Sequence, residues 1–225
     1  MVQRRARGRS LIVADPQSDE AGLKCYLGRL LQVFSKAGNG AHYPLEIALL
    51  LDYPDPPLRG ATFVLRPFAS IDFDAAVALA EDPETARWVP PLPALDLAGV
   101  LAEFERYRVD GDMLHLVIAD VGDDRYLGEV MVVIGDHLVG EVGCAVAAGH
   151  RGRGIATEAL GLLIRWCLTD LGLGRVQALV AQVNQPGLDL ATRLGLQPEG
   201  VLRSYWEGAD ERIDVVMHSI LCDEV

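Results

Sequence analysis

The sequence predicts an α/β fold, one mixed sheet with helices on both faces, preceded by an N-terminal appendage. Three observations carry this. From Met113 three strand-like runs in succession lead into an alternation of helix, strand, helix and strand, an order that builds a mixed sheet covered on both sides. The 225 residues amount to about one and a half typical domains. The segment Tyr53-Pro54-Asp55-Pro56-Pro57-Leu58-Arg59-Gly60 divides the chain, because consecutive prolines join neither a helix nor a central strand.

Residues 1–60 read as the appendage. Ser18 and Asp19 are placed to cap a helix whose Leu23, Tyr26, Leu27, Leu30, Leu31 and Phe34 recur at helical spacing and which ends at Gly38-Asn39-Gly40. One helix cannot bury its own stripe, so it is expected to pack on the following domain or on a second subunit, and a homodimer is expected. In the domain, 61–225, Thr62–Phe68 alternates like a strand and Ile71–Ala80 is helical. A second helix, Asp96–Arg108, follows the proline-punctuated loop Val89–Pro93. Met113–Ala119, Tyr126–Ile134 and Leu138–Val146 are strand-like, the last two joined by a Gly135-Asp136 hairpin turn. Ile155–Leu171 places Ile155, Ala159, Leu162, Leu163, Trp166 and Cys167 on one helical face and ends at Gly172. Arg175–Val183 is a strand, Gly187–Leu194 a short helix closed by Gly195, and Glu199–Trp206 and Arg212–Leu221 complete the sheet.

The balance of 32 acidic against 20 basic side chains gives a net charge of −12. Such a chain repels a nucleic-acid backbone, and a cationic substrate suits it better. The four cysteines, Cys25, Cys144, Cys167 and Cys222, show no metal or disulfide spacing, so reduced thiols and no metal are expected. Behind Arg4, Arg5, Arg7 and Arg9 the apolar run is only Leu11–Ala14, too short for a signal peptide. The longest other run, Ile47–Leu51, falls far below the roughly 20 residues of a membrane span. The chain is expected in the cytoplasm, without a membrane partner.

Glu141–Ala156 carries the most chemistry. A strand runs into the turn Gly149-His150-Arg151-Gly152-Arg153-Gly154, which opens the best helix in the chain. A helix N-terminus presents unpaired N–H groups and the positive end of a dipole, so phosphate is bound there. Gly152 and Gly154 allow close approach of the backbone, and Arg151 and Arg153 add local positive charge to an acidic protein. The spacing fits neither a nucleotide P-loop nor a dinucleotide fingerprint.

Arg151-x-x-Gly154-x-Ala156 fits the Q/R-x-x-G-x-G/A signature of the GNAT superfamily of acyl-CoA-dependent N-acyltransferases. Asn184 followed by Arg193-Leu194-Gly195-Leu196, Glu199-Gly200-Val201-Leu202-Arg203, Thr62–Phe68 and Asp82-Pro83-Glu84 resemble its ribosomal-protein N-terminal acetyltransferase (Rim-type) subgroup. The resemblance covers about residues 61–221 and implies a GNAT-like mixed sheet with acetyl-CoA as cosubstrate. Its pyrophosphate would sit on Arg151, Gly152, Arg153, Gly154, Ile155 and Ala156. Its pantetheine arm would lie beside the strand Val142–Ala147, with Val146 among the cofactor-binding residues, in a slot where that strand splays from Val176–Val183. Asn184 would bind cofactor or orient backbone, although it equally suits a helix cap. A primary amine on a small molecule or peptide N-terminus would attack the thioester directly, with a backbone N–H near Cys144–Val146 stabilising the oxyanion.

Deprotonating a lysine-like amine at pH 7 costs about 4–5 kcal/mol, an α-amine about 1–1.5, so a general base is expected. Rim-type enzymes commonly carry a Glu at the position of Glu141, the leading candidate; Glu129 and Asp214 are weaker ones. The positions where Rim-type enzymes often place a Ser as general acid, and other family members a Tyr, hold Gly187 and Ala191. Ser204, Tyr205, Cys144 or His218 are the substitutes. Two alternatives stay open: a noncatalytic acyl-CoA-binding or sensing module, and a transferase using a longer acyl-CoA.

Overall fold

The computed structural model describes residues 3–6, 9–12, 49–88, 96–208 and 211–225. Strands β1 (Gln3–Ala6), β2 (Arg9–Ile12) and β3 (Leu49–Leu51) form a small antiparallel sheet in the N-terminal region, where the sequence predicts no strands. The helix expected over 18–38 and the loop Val89–Pro93 lie outside the described residues. The main sheet contains β4 (Phe63–Arg66), β5 (Met113–Asp120), β6 (Tyr126–Ile134), β7 (Val139–Val146), β8 (Arg175–Ala181), β9 (Gln197–Glu207) and β10 (Arg212–Leu221), in the order β4-β5-β6-β7-β8-β10-β9. All its ladders are antiparallel except β7 with β8, the pair linked through a crossover helix.

Local chemistry sets the helix ends. Helix α1 (Phe73–Glu81) leads into the single turn α2 (Pro83–Ala86), where Asp82 caps by accepting from the Thr85 N–H at 2.9 Å and proline fills the first position. Asp96 caps α3 (Leu97–Asp110) through the Gly99 N–H at 2.8 Å, and Gly111 ends it at φ +77°. Helix α4 (Ile155–Thr169) stops where Gly172 turns left-handed and the Leu173 N–H returns to the Cys167 carbonyl at 2.9 Å, a six-residue closure typical of glycine-ended helices. Helix α5 spans Gln185–Arg193.

Strand alternation assigns the two faces. Leu114, Leu116, Val130, Val132, Val142 and Val176 join Ile155, Ala159 and Leu163 of α4 and Ala191 of α5 in the larger buried cluster. The opposite face packs Val117, Ala119 and Tyr126 against Leu79 of α1, and Phe104 of α3 stacks on His115. Fully buried Leu163 anchors α4; truncation to Ala would cost about 2–5 kcal/mol. A bulge where Ile118 pairs Gly128 but Ala119 pairs Tyr126 inserts Leu127, turning it toward α4 and Tyr126 toward α1. The β6–β7 connection is not the expected two-residue turn. It runs through Asp136–Leu138 with His137 and Leu138 at positive φ, and the Gly135 N–H bonds the Val139 carbonyl.

Candidate active site

After Val146 the chain makes a short 3-10 turn over Ala148–His150 and enters α4 from Gly154. Gly152 and Gly154 have φ of +73° and +81°, a region where any residue with a Cβ is strained by roughly 1–2 kcal/mol. A Cβ on either would meet no atom within 4 Å, so both face open space. Gly154 supplies no capping side chain, and the first bond it accepts comes from the Glu158 N–H at 3.1 Å. The N–H groups of Ile155, Ala156 and Thr157 therefore point out of the helix end, where the positive dipole end favours an anion.

The two arginines of the turn do different things. Arg153 is exposed, and its Nη2 donates to the Gly149 carbonyl at 2.8 Å. Arg151 is strapped down: Nε donates to the Val146 carbonyl at 2.8 Å, and Nη2 to Asp82 Oδ2 at 2.5 Å and Thr85 Oγ1 at 2.9 Å. Its hydrogen bond holds the Asp82 carboxyl below its ordinary pKa, helped by the Thr85 N–H. The charge of Arg151 is thus balanced by Asp82, and free cationic character at the turn rests on Arg153 and the helix amides.

Beside the turn the sheet opens. The parallel ladder of β7 with β8 consists of Val139 with Arg175, Gly140 with Val176 and Glu141 with Gln177. Beyond it, β7 runs on to Val146 paired only with β6, and β8 to Ala181 paired only with β10. The Gly135 N–H to Val139 carbonyl and Ala147 N–H to Leu127 carbonyl bonds put the backbone groups of odd-numbered β7 residues toward β6. Those of Cys144 and Val146 consequently face the gap.

Two carboxylates lie on the sheet face opposite α4, one on β7 and one on β6. Glu141 is on the last closed rung and its Oε2 accepts from Gln177 Nε2 at 3.2 Å. Glu129 sits on β6 directly opposite Ala145, level with the open part of the gap. Its Oε2 accepts from His115 Nε2 and from the Tyr126 hydroxyl, each at 3.0 Å. Burial works against the Glu129 charge, but the hydrogen bond and charge interaction with His115, and the Tyr126 hydroxyl, outweigh it and hold the pKa below the ordinary value. Burial, reinforced by Glu129, raises the Tyr126 pKa and pushes the Cys144 thiol up to about 12. In the sequence His115 reads only as a lone histidine. The signal that marks it is parity: His115 and Glu129 fall on the same face of adjacent strands once the register is known.

Residues 62–197 match the family model described as an Acetyltransferase (GNAT) domain. The chain belongs to the GNAT family. It is similar to the uncharacterized N-acetyltransferase p20 of Bacillus licheniformis, 29% identical over 162 residues that cover 70% of this chain and 91% of that protein. Among solved structures it is similar to Mycobacterium smegmatis RimJ in complex with CoA-disulfide, at 25% identity and TM-score 0.65, covering 72% of this chain and 83% of that one. It shares its fold with a Vibrio cholerae spermidine N-acetyltransferase in complex with CoA and spermine, at 20% identity and TM-score 0.66, covering 73% and 98%. The protein is an acyl-CoA-dependent acetyltransferase with the mixed GNAT sheet and an N-terminal appendage.

The remaining sequence candidates of this GNAT protein are dispersed. Ser204 and Tyr205 lie on edge strand β9, separated from β7 by β8 and β10. Ser204 has φ +53°; its N–H donates to Asp214 Oδ1 at 2.7 Å and its carbonyl accepts from Arg212 Nε. Tyr205 is half exposed. His218 is buried on β10 opposite Ala178, and Cys144 packs on the α4 side. Asn184 caps α5, its Oδ1 accepting from the Gly187 N–H at 3.0 Å. A Cβ on Gly187 would meet the side chains of Val180, at Cγ1, at 2.8 Å and of Asn184, at Nδ2, at 3.0 Å, so position 187 is crowded by its neighbours. Ala191 is buried.

Proposed function

We propose that this GNAT protein transfers an acetyl group from acetyl-CoA to a primary amine of a small molecule or a peptide N-terminus. The observation that carries this reading is the divergence of β7 from β8 beyond Glu141 and Gln177, leading onto the uncapped start of α4. The pyrophosphate would be held by the backbone of Gly152 to Ala156 and by Arg153, while Arg151 fixes the turn. The Cys144 and Val146 N–H groups and the Cys144 carbonyl, facing the gap, suit the amides of an extended pantetheine arm. Bound there, acetyl-CoA supplies the activated acyl group, and the Cys144 N–H is placed to stabilise an oxyanion. The Val146 carbonyl is already taken by Arg151. Asn184 serves through its cap on α5, beside the open end of β8. Cytoplasmic residence and a homodimer built through residues 1–60 belong to the same reading, the homodimer supported by the apolar spacing over residues 23–34.

Coenzyme A release measured with n-butylamine, spermidine, and peptides beginning with Ala or Ser tests the proposal: turnover of at least one amine is expected. A second reading, a noncatalytic acyl-CoA-binding module, is favoured by Gly187 and Ala191 standing where a proton donor is usual. Acetyl-CoA binding with no turnover of any amine would select it.

A further inference from the structure

Apart from the turn before α4, a buried polar cluster on the face opposite α4 is left unused by cofactor binding: His115, Glu129 and Tyr126, with Phe104 stacked on His115 at 4.1 Å between ring centroids and 9° between planes. His115 and Tyr126 are buried, while the Glu129 side chain keeps 27% exposure. Both neighbours bond Oε2, so one oxygen of the carboxylate is anchored and neither neighbour engages Oε1. A carboxylate can only accept, so His115 Nε2 is the donor. Phe68 meets both Phe104 and His115 edge-on and completes an aromatic wall that fixes the imidazole. The Nδ1 of His115 is buried without a hydrogen-bond partner, an arrangement that costs free energy and is retained at few places in a fold.

Position distinguishes the two carboxylates of this face. Glu141 lies where β7 and β8 are still paired, and its carboxylate is engaged by Gln177. Glu129 is directly opposite Ala145, at a Cα separation of about 4.5–5.5 Å for opposed antiparallel residues. It therefore flanks the stretch of β7 whose Cys144 amide faces the gap, on the face opposite α4. We propose that Glu129, held by the positioning residues His115 and Tyr126, is the catalytic carboxylate that binds the acceptor ammonium and takes its first proton.

This rests on the acetyl-transfer reading. The ammonium gives one proton to Glu129, and the freed nitrogen lone pair forms the C–N bond at the thioester carbon. The C–S bond then breaks, the nitrogen loses its second proton and the coenzyme A sulfur gains one. The proton on Glu129 passes to solvent, so the net products are amide, coenzyme A thiol and one proton. The titratable groups facing Glu129 are His115 from β5 and Tyr126 from β6, with Asp72 beyond Tyr126 and paired to Arg66.

The test compares full-length wild type with Glu129→Gln, Glu141→Gln, His115→Gln and His115→Leu, using the amines named above. Glu129→Gln should lose about 10²–10⁴-fold in kcat with acetyl-CoA affinity unchanged, which shows that the variant is folded. Its kcat/KM should rise tenfold per pH unit toward the amine pKa, because only free amine then reacts, whereas wild type and Glu141→Gln show a plateau through neutral pH. His115→Gln, which keeps a donor, should retain the plateau, and His115→Leu should lose it. A plateau preserved in Glu129→Gln and abolished in Glu141→Gln overturns the proposal. If wild type turns over no amine, the acetyl-transfer reading fails separately. Glu129 is then judged by the carboxyl carbon resonance that Glu129→Gln removes: a shift on titrating the CoA complex with n-butylammonium supports an ammonium site there, and an unmoved signal overturns it.

Discussion

Arg151 joins three elements through one guanidinium, with Nη2 donating to Asp82 Oδ2 at 2.5 Å while Nε donates to the Val146 carbonyl at 2.8 Å. The end of β7, the turn before α4 and the start of α2 are thereby locked together. A point charge on a flexible stem cannot reproduce a planar fork. Arg151→Lys and Asp82→Asn are both expected to raise the acetyl-CoA KM by about three- to tenfold by loosening a charge-assisted bond, with a smaller change in kcat. The Asp82 pKa is depressed from 3.8, so the strap is complete at neutral pH and is lost only as pH falls through that depressed value. Steady-state kinetics at pH 7 check this, and an unchanged acetyl-CoA KM in both variants would show that the strap does not shape the cofactor site.

A serine introduced at position 187 should not supply a proton donor. A Cβ there would stand 2.8 Å from Val180 Cγ1, so the Val180 side chain or the backbone must shift, and overpacking of this kind costs about 1–3 kcal/mol. Gly187→Ser is expected to lower the midpoint of thermal unfolding and to leave kcat the same or lower. A rise in kcat without loss of stability would show that the backbone can yield there.

Glu199 gives the protein an acid-sensitive tie. Arg175 donates to both its oxygens at 2.6 Å and Ser219 to one at 2.6 Å, and these bonds, Arg175 first, take its pKa from 4.5 down to about 2. A depressed carboxyl contributes stability above its unfolded pKa and loses that contribution as pH falls through the folded value. Wild type should therefore exceed Glu199→Gln in thermal stability at pH 6, the gap closing between about 4.5 and about 2. Melting curves across that range provide the check, and a gap independent of pH would contradict the assignment.

Much of this fold is legible in the sequence because it depends on short-range rules. Strand alternation, the apolar stripe of Ile155, Ala159 and Leu163, the glycine ends at Gly172 and Gly195, and the Arg151–Ala156 turn are all written in adjacent residues. What is not legible depends on register. The opening between β7 and β8 is set by where pairing stops, after Glu141 and Gln177, and no local pattern marks that rung. The His115 to Glu129 bond links adjacent strands diagonally and emerges only once the Leu127 bulge and the strand pairing are known. From its neighbours alone Arg151 reads as a phosphate ligand, because its partner Asp82 is 69 residues away. The β6–β7 turn differs from the expected hairpin because His137 and Leu138, the latter a residue that rarely takes positive φ, adopt it here instead of Gly135.

That the start of α4 cradles the pyrophosphate of acetyl-CoA is tested most directly by calorimetric titration of acetyl-CoA into wild type, Gly154→Ala and Gly154→Glu. A Cβ at Gly154 finds open space but φ of +81°, so Gly154→Ala should lose affinity about tenfold, equivalent to roughly 1–2 kcal/mol of backbone strain. Gly154→Glu adds a negative charge against a polyanion and should bind about 100-fold more weakly than wild type, or not measurably. Equal affinity in wild type and Gly154→Glu would contradict a phosphate cradle at this helix end.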